Sequence, residues 1–548
     1  MGNDEQIAPE HFELFIIGGG IHGCAIARDA AGRGLSVALA EKDDLASGSS
    51  SASTKLLQGG VDRLETLRFS EIREALLERN GLMEAAPHLA RHLRLVVPLA
   101  PEVPMTAHSA ATRLVARFLP WIGMKRPAWL IRMGFNRYDR MAGGLASTPV
   151  DLSATAPLGR VLRGAAPLGY EVSEAMVDDA RLTVVTAADA AARGARIWTS
   201  TRVHAARREK NHWRITLQDQ MTGTLREVTA NAVINAAGPW AGQVLAQGLN
   251  RPAKQAQRLM RGSHIVTRRL YEHDRGYIFE APDRSLLYIL PFEDDYTLIG
   301  ASRVEHLGPD VPAACSRDER DALCARVSAL LDRELTGDDV LWSYSGLRPI
   351  PAEEEADSWR RPDFALEEGA GAPLLTLHGG RLTTHRRTAE EAVDRICASL
   401  EIQTRGWTQR VALPGGNLPP VGLDSIVSRL RRRFPFLSDS WARRLVRSYG
   451  MQAFDMMATA ASPQDMGRDF GATLSEREVR WLMQNEFART AEDVLWRRGK
   501  LGLRMAPSEV SALQGWMTGP LAQMPFGAPA APQAGTAAAE TTDIAGAA

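Results

Sequence analysis

The chain has 548 residues, of which 45% are hydrophobic and 24% charged, and its 65 basic residues balance 65 acidic ones. A chain of this length exceeds one hydrophobic core, so two or three globular domains are expected, and the balanced charge gives no indication of nucleic-acid binding. The four cysteines have no C-x-x-C spacing, the polar residues 1–11 are unlike a secretory signal, and no stretch reaches the roughly 18 apolar residues of a membrane span. These patterns predict a reduced cytosolic protein without a metal site.

The first predicted element is a strand at Leu14–Ile17, which is followed by a glycine-rich turn and a helix. The turn has the spacing G-x-G-x-x-G, formed by Gly18, Gly20 and Gly23. The first glycine allows the tight turn, the second allows a pyrophosphate to approach the backbone, and the third allows the helix to pack on the strand. Together with the free N–H groups at the helix start, this pattern predicts a dinucleotide-binding site.

An acidic residue ends the next predicted strand. Glu41 follows Val37–Leu39 about 20 residues after the glycines, where a carboxylate accepts hydrogen bonds from ribose hydroxyls. Because its charge would repel a 2′-phosphate, FAD and NAD are favoured over NADP. We expect FAD, since the motif lies near the N-terminus of a long chain without another nucleotide motif. The alternative is a glycine-rich turn that binds no nucleotide.

Residues 47–60 are a run rich in hydroxyl groups and glycine, typical of a loop beside a cofactor or of a surface linker. Together with residues 18–37, this run is similar to the FAD-dependent glycerol-3-phosphate dehydrogenases of the aerobic, quinone-linked type. The similarity continues in the same order through VDDARL, NAAGPW, RGSHIV, YSGLRP, HGGRLTTHR and DVLWRR, which begin at Val177, Asn235, Arg261, Tyr344, His378 and Asp493. Ordered motifs over nearly the whole chain are far more specific than any single one of them.

This resemblance implies an α/β fold with a Rossmann-like FAD-binding domain, an antiparallel β-sheet substrate domain and a C-terminal α-helical domain. The oxidoreductase region would span residues 12–417, with FAD-binding segments at about 12–95, 170–245 and 370–400 and substrate segments at about 96–169 and 246–369. The helical domain would follow at 418–524. Residues 525–548 are rich in alanine, proline, glycine and threonine, which predicts a disordered tail.

The resemblance also implies which residues contact FAD. They lie in the glycine turn, in the hydroxyl-rich loop, after the predicted strand 232–236 and at the start of a helix near residue 385. The expected set is Gly18, Gly20, Gly23, Glu41, Ser50, Ser51, Thr54, Lys55, Gly238, Gly380, Leu382 and Thr383. That helix, capped by Thr383 or Thr384, would direct its positive N-terminus at the flavin and favour the anionic reduced form.

Residues 98–139 interrupt the resemblance, and those from about 100 to 125 look like an insertion. Leu114, Phe118, Trp121 and Ile122 recur there at helical spacing, interleaved with arginine and lysine. Such a helix suits an anionic membrane surface, and the alternative is an amphipathic helix packed on its own core. We favour the membrane because the resembled enzymes pass electrons to membrane quinone. The protein would then lie peripherally on the cytoplasmic face of the inner membrane.

The middle of the chain combines helix and strand patterns. A helix with a polar start is predicted after Val177, followed by strands around 197–203, 213–217 and 228–235. The apolar runs 286–292 and 296–300 are joined across Glu293, Asp294 and Asp295, which is typical of an antiparallel hairpin. This hairpin predicts a sheet that faces the substrate.

His264 and Arg348 are the expected catalytic residues, because both lie in motifs of the resemblance. An imidazole of near-neutral pKa suits removal of a proton from an alcohol, although a lone histidine in a strand is more often structural. The planar guanidinium of Arg348 suits a phosphate or a developing alkoxide, although an isolated arginine is more often a surface ion-pair partner. Arg63, Arg348 and Arg381 are the expected ligands of the substrate phosphate.

Several substrate-side positions depart from the family pattern. Gln58 replaces a histidine before the glycine pair, and Arg381 and His385 replace a lysine and a tyrosine. The family usually has arginine at the position of Asp62 and aspartate at the position of Arg303, so both charges are exchanged in this chain. If the two residues touch, the double exchange restores an ion pair, and we predict that they lie within salt-bridge reach. The alternative is independent drift at exposed sites.

The resemblance thus implies oxidation of sn-glycerol 3-phosphate to dihydroxyacetone phosphate by hydride transfer to FAD, with a quinone as electron acceptor. The implied partners are a phosphorylated polyol, a quinone and a membrane surface, with no nucleic acid and with a homodimer left open. Two alternatives remain from the sequence. One is a paralogous flavin oxidoreductase of another hydroxy or amino acid, and the other is a flavin-binding protein that has lost turnover.

Overall fold

The computed structural model describes residues 9–61, 68–99, 128–143, 146–164, 167–252, 257–281, 285–351, 362–368, 371–419 and 422–523. Its strands are β1 Glu10–Ile17, β2 Val37–Ala40, β3 Leu56–Leu57, β4 Ala90–Pro98, β5 Thr148–Asp151, β6 Leu168–Val177, β7 Arg196–Trp198, β8 Thr201–Arg208, β9 Trp213–Asp219, β10 Leu225–Asn235, β11 Gln257–Arg268, β12 Gly276–Glu280, β13 Leu286–Phe292, β14 Tyr296–Gly300, β15 Val304–His306, β16 Val340–Pro351, β17 Asp363–Glu367 and β18 Leu374–His378.

The α-helices in the same residues are α1 Ile21–Gly32, α2 Phe69–Ala85, α3 Ala128–Ala142, α4 Asp179–Ala192, α5 Ala241–Gln243, α6 Arg317–Leu330, α7 His385–Ser399, α8 Gly422–Arg433, α9 Asp439–Tyr449, α10 Gln452–Met457, α11 Glu476–Asn485, α12 Pro507–Met517 and α13 Pro520–Gln523. Short 3₁₀ or π turns lie at Ser49–Ser51, Gly238–Trp240, Val244–Gly248, Gly337–Asp339, Pro463–Met466, Asp493–Arg497 and Leu501–Leu503. Among the helices that the structure describes, none combines the length and the apolar character needed to cross a bilayer.

One sheet of eight described strands is built around β1, which is parallel to β2 on one side and to β10 on the other. The parallel order continues to β7 beyond β2 and to β18 beyond β10, while β9 and β17 pair antiparallel with β10 and β18. Ile16 lies opposite Leu39 and Ile234, and all three are fully buried. Unbroken apolar strands are required here because both faces of a parallel sheet are covered.

The two faces of this sheet are covered by different layers. Helices α1, α4 and α7 pack on one face, where Ala27 and Ala31 contribute small side chains to the shared core. Phe15, Trp213 and Val233 belong to the core on the other face. The small residues of α1 allow close approach of its neighbours, as the spacing of the glycine turn predicts.

A second sheet contains ten described strands in the order β15, β11, β14, β13, β12, β4, β6 and β3, with β16 joined to β11 and β5 joined to β6. Except for the parallel pair β4 and β12, its pairs are antiparallel. The predicted hairpin across Glu293–Asp295 is confirmed, since β13 pairs with β14 and Leu290 lies opposite Leu298. His264 lies in β11, opposite Tyr344 of β16 and Gly300 of β14.

The C-terminal helices form a separate core that extends from Ile426 to Met517. Helical structure continues through α12 and α13 to Gln523. A mixed sheet, a second sheet that is antiparallel except for one pair, and a helical domain confirm the predicted fold class. The exact domain boundaries stay a prediction.

Only part of the predicted membrane segment lies within the described residues. In α3, Phe135 and Tyr138 are buried, and the ring of Phe135 packs on Tyr170 with centroids 4.9 Å apart. This part of the segment packs on the protein's own core, while the predicted amphipathic helix around residues 114–122 falls outside the described residues and stays a prediction. Residues 100–127, with their apolar and basic residues, lie outside the described chain, as does the predicted tail 525–548.

Candidate active site

A cavity of about 1770 Å³ lies where the two sheets meet. Strands β1, β2, β10 and β18 all end at its edge, and the residues that follow them line it. Strands β11 and β16 close the opposite side with Gly262, His264 and residues 345–350. The carboxyl ends of parallel strands are where open α/β sheets bind their ligands, so the topology itself places a ligand site here.

The glycine turn meets its three spatial requirements in different ways. Gly18 has φ +110°, which L side chains rarely adopt. A Cβ atom at Gly23 would lie 1.9 Å from the carbonyl oxygen of Gly18, so only glycine lets α1 pack on the turn. At Gly20, by contrast, a Cβ atom would meet only Ser50 Oγ, at 3.1 Å, and would otherwise enter the cavity. The space beside Gly20 is thus left for a ligand.

The start of α1 faces the cavity, and the positive end of its helix dipole suits an anion. The N–H of Ile21 donates to Ser50 Oγ at 2.9 Å, and the N-cap Gly20 supplies no side chain. Glu41 Oε2 accepts from the N–H of Gly19 at 2.6 Å, and Oε1 accepts from the N–H of Asp43 at 2.9 Å. Burial raises the pKa of the Glu41 carboxyl. These positions match a pyrophosphate at the helix start and a ribose beside the acid.

A second helix start, that of α7, also lies at the cavity. Gly379 and Gly380 have φ +73° and +97°, and Gly380 and Leu382 line the wall. The helix begins at His385, as expected, but the predicted capping bond is wrong. Thr384 occupies the N-cap with φ −105° and ψ 12°, and within the described chain its hydroxyl makes no capping hydrogen bond. Thr384 contributes its carbonyl instead, which accepts from Thr388.

The structure brings seven of the expected cofactor residues to the cavity wall and leaves five outside it. Those on the wall are Gly18, Gly20, Glu41, Ser50, Gly238, Gly380 and Leu382. Those outside the described lining are Gly23, Ser51, Thr54, Lys55 and Thr383. Lys55 is 1% exposed, and its ammonium donates to Asp179 at 2.8 and 2.9 Å and to the carbonyl of Ser51 at 2.5 Å.

The cavity wall also includes residues that the sequence patterns did not single out. His22, inside the glycine motif, has a buried Nε2 atom 2.5 Å from where a Cβ of Gly380 would be. Lys42 lies over the ring of Trp240, 4.6 Å from its centroid. In the sequence, the one indication of His22 and Lys42 is that each is a polar residue next to a predicted cofactor residue.

His264 is the expected catalytic residue with the clearest geometry. It is 3% exposed, it lines the cavity, and neither ring nitrogen has a hydrogen-bond partner among the described residues. Burial, assisted by the charge of Lys55, lowers the pKa of His264 to about 3. The imidazole is therefore neutral near pH 7 and has a nitrogen lone pair available to accept a proton, but the near-neutral pKa expected for this base is not found, because burial disfavours its charged form.

Two expected phosphate ligands, Arg348 and Arg381, line the same cavity. The third, Arg63, and its neighbour Asp62 lie outside the described residues, so the predicted Asp62–Arg303 ion pair stays a prediction. Gln58 donates its amide to the hydroxyl of Tyr288 at 3.0 Å, which ties the loop after β3 to the second sheet.

These residues fit FAD. Two helix starts and a half-buried acid surround one continuous cavity, and open space remains where a Cβ of Gly20 would point. The cavity then continues to His264 and two arginines, which leaves a place for a small anionic substrate. When bound, FAD supplies the hydride acceptor, and the chain supplies binding, orientation and proton transfer.

The comparisons with known proteins agree with this geometry. The family described as FAD dependent oxidoreductase matches residues 13–386, and the family described as the C-terminal domain of alpha-glycerophosphate oxidase matches residues 407–518. Among solved structures, the glycerol-3-phosphate dehydrogenase from Bacillus halodurans has a TM-score of 0.69 at 24% identity, covering 92% of this chain and 88% of that one. At this identity the structural likeness shows the fold alone.

Sequence relatives identify the family more narrowly. The chain is 36% identical to the aerobic glycerol-3-phosphate dehydrogenase of Escherichia coli (strain K12) over 92% of this chain and 97% of that protein. It is also 36% identical to the D-erythritol 1-phosphate dehydrogenase of Brucella abortus (strain 2308), over 93% of this chain and 98% of that protein. The chain therefore belongs to the FAD-dependent oxidoreductases, as a member of the glycerol-3-phosphate dehydrogenase family.

Proposed function

We propose that this protein oxidises sn-glycerol 3-phosphate to dihydroxyacetone phosphate and passes the electrons to a quinone. The observation that carries the proposal is His264, a buried neutral imidazole that lines the same cavity as Arg348 and Arg381. A proton acceptor beside two cations suits an alcohol that carries a phosphate.

In this proposal the phosphate is held by Arg348 and Arg381, together with Arg63. Their guanidinium groups offer paired N–H donors that match phosphate oxygens, and this fixes the orientation of the carbon chain. His264 would take the proton from the C2 hydroxyl, and FAD, when bound, would supply the acceptor for the C2 hydrogen as hydride. The C2–O bond becomes the carbonyl of the product. The substrate thus loses one proton and one hydride, which together account for the two-electron oxidation.

A four-carbon polyol phosphate is the second candidate substrate. It is supported by the D-erythritol 1-phosphate dehydrogenase of Brucella abortus, which is as similar to this chain as the Escherichia coli glycerol-3-phosphate dehydrogenase is. The departures at Gln58, Arg381 and His385 also fall on the substrate side. Both candidates share a phosphate and a secondary alcohol, so both use the same cations and the same base.

Anaerobic bleaching of the flavin separates these candidates. The purified holoenzyme is mixed with sn-glycerol 3-phosphate, D-erythritol 1-phosphate, glycerol, a small hydroxy acid or an amino acid, and flavin absorbance is followed. Faster bleaching by sn-glycerol 3-phosphate than by the other compounds supports the proposal. Preference for D-erythritol 1-phosphate supports the second candidate, and bleaching by none of them supports a flavin-binding protein without turnover.

The quinone and the membrane belong to the same proposal. The pattern of apolar and basic residues at 113–126 supports attachment to an anionic surface on the cytoplasmic face of the inner membrane. A peripheral position would bring the reduced flavin close to membrane quinone. Reduction of a water-soluble ubiquinone analogue by the substrate-reduced enzyme tests the acceptor, and failure of that electron transfer would count against it.

A further inference from the structure

The imidazole of His264 has no polar anchor among the described residues, so ring packing determines its orientation. Its ring stacks on that of Tyr344, with centroids 4.8 Å apart and planes inclined by 12°. On the neighbouring strand, a Cβ at Gly300 would lie 2.1 Å from His264 Cδ2. The backbone of Gly300 and the ring of Tyr344 therefore define the space that the imidazole occupies.

Tyr344 is itself held by contacts from the loop after Ser51. Its hydroxyl donates to the carbonyl of Ser53 at 2.8 Å, and the ammonium of Lys55 lies 4.6 Å from its ring centroid. A cation over an aromatic face is attracted by the electrons of the ring. The ring is thus fixed at its edge by a hydrogen bond and at its face by a charge.

The charge that holds the ring is anchored in turn. Lys55 is 1% exposed and pairs with Asp179, which is fully buried at the start of α4. Asp179 also accepts from the N–H and the hydroxyl of Ser53 at 3.0 and 2.7 Å. A buried ion pair with these additional hydrogen bonds has one well-defined geometry. We call Tyr344, Lys55 and Asp179 the His264 support.

We propose that Tyr344 and Lys55 are positioning residues that orient the His264 imidazole towards the substrate. The inference rests on the proposed function, in which His264 takes the hydroxyl proton. In this inference Lys55 helps to orient the base, His264, and does not bind the cofactor as the sequence analysis expected. Asp179 serves by holding Lys55 in place.

Two substitutions at Tyr344 separate ring packing from the hydroxyl contact. In Tyr344→Leu the flat ring is lost, and the rate constant of anaerobic flavin reduction should fall by at least about tenfold, because small misplacements of a reacting group are costly. The Kd for substrate and the flavin content should stay close to the wild-type values. Tyr344→Phe keeps the ring and should retain most of the rate. Equal losses in both variants would overturn the inference.

An NMR measurement tests the orientation without turnover. In holoenzyme with ¹³C-labelled histidine, the stacked Tyr344 ring should shift the His264 ring protons upfield, and His264→Asn identifies their resonance. The upfield shift should disappear in Tyr344→Leu and remain in Tyr344→Phe. A shift that persists in Tyr344→Leu overturns the positioning role. If His264→Asn reduces its flavin at the wild-type rate while the NMR shifts behave as expected, the proposed function, with His264 as the base, is contradicted. The stacking of His264 on Tyr344 is then still confirmed.

Lys55 is tested together with its partner, so that no buried charge is left unpaired. The double variant Lys55→Met/Asp179→Asn should lower the rate constant of flavin reduction with an unchanged Kd for substrate. Lys500→Met/Asp178→Asn is the matched control, because Lys500 is also buried and pairs with the adjacent Asp178 at 3.8 Å. Wild-type reduction kinetics in the double variant, or an equal loss in the control, would overturn the assignment of Lys55.

Discussion

At the scale of single residues, the glycines of the nucleotide turn differ in what they tolerate. A methyl group at Gly20 would meet one flexible hydroxyl, whereas at Gly23 it would collide with backbone. The same substitution is therefore expected to impair ligand binding at Gly20 and folding at Gly23, three positions later.

We expect Gly20→Ala to fold but to bind FAD at least about tenfold more weakly, because the methyl group would occupy space needed by the pyrophosphate. Gly23→Ala should fail to fold. Flavin content after purification and circular dichroism measure the two outcomes. Gly81→Ala is the control, since no atom lies within 4 Å of its new Cβ. Normal flavin content in Gly20→Ala would contradict the assigned cofactor position.

The second residue-scale prediction concerns His264. His264→Asn should slow flavin reduction by about 10² to 10⁴-fold, the usual contribution of a general base. Because burial lowers the pKa of His264 to about 3, the imidazole stays deprotonated as the pH falls from 8 to 5. The ratio kcat/KM of the wild type should therefore show no acid limb from this group in that range. An acid limb near pH 6.5 that is absent in His264→Asn would contradict this.

At the scale of elements, the C-terminal helical domain is joined to the cofactor domain by buried charges. Arg498 donates to Asp44, including one bond of 2.8 Å, and Arg497 reaches the same carboxylate at 2.5 Å. Trp496 stacks on Trp342 of β16 with centroids 4.5 Å apart. The DVLWRR motif thus contacts the second sheet and the loop after β2, in which Asp44 lies three residues after Glu41.

We expect Asp44→Asn to loosen this junction by about 3 to 5 kcal/mol, the usual cost of leaving one member of a buried pair without its partner. Limited proteolysis should then cleave near residues 400–420, and thermal unfolding should broaden. Asp294→Asn provides the control, because its pair with Arg447 is exposed and such pairs contribute about 0 to 1 kcal/mol. Equal protease resistance in both variants would contradict the role of the junction.

At the scale of the whole molecule, buried neutral histidines make stability depend on pH. Burial lowers the pKa of His88, His264 and His385 to about 3. The folded pKa is below the unfolded value of about 6.5, so the unfolded chain binds more protons as the pH falls, and stability is lost. The loss is about 2 kcal/mol for each histidine at pH 5. Burial raises the pKa of Asp29 to about 6, so its protonation favours the folded state as the pH falls. This gain in stability is smaller than the loss from the three histidines.

The free energy of unfolding in urea should therefore decrease between pH 7.5 and pH 5. His88→Asn, which cannot titrate, should reduce the difference between the two pH values by about 2 kcal/mol. If the free energy of unfolding changes equally between pH 7.5 and pH 5 in the wild type and in His88→Asn, then His88 is not buried and neutral in solution.

Membrane attachment is the other prediction for the whole molecule. If residues 100–125 bind an anionic surface, deletion of residues 105–123 should release the protein from membranes and leave dye-linked turnover nearly intact. High salt should release the wild type in the same way, since charge attraction is screened. Sedimentation with vesicles rich in anionic lipid measures both effects. An undiminished membrane fraction after the deletion would argue for an amphipathic helix packed on the protein.

The sequence by itself determined the elements whose signals are local. The strand, glycine turn and helix from Leu14 to Gly32 were predicted because spacing and residue size directly reflect backbone geometry. The hairpin across Glu293–Asp295 was predicted for the same reason. Family resemblance then indicated the cofactor, because its motifs occur in a fixed order along the chain.

Only the tertiary structure decided where long polar side chains point. Lys55 pairs with Asp179, 124 residues away, and Arg498 pairs with Asp44, 454 residues away. The stacking of His264 on Tyr344 likewise depends on the register of two strands far apart in sequence. No local pattern encodes such partners, because each is selected by burial and by the charge that the folded chain places beside it.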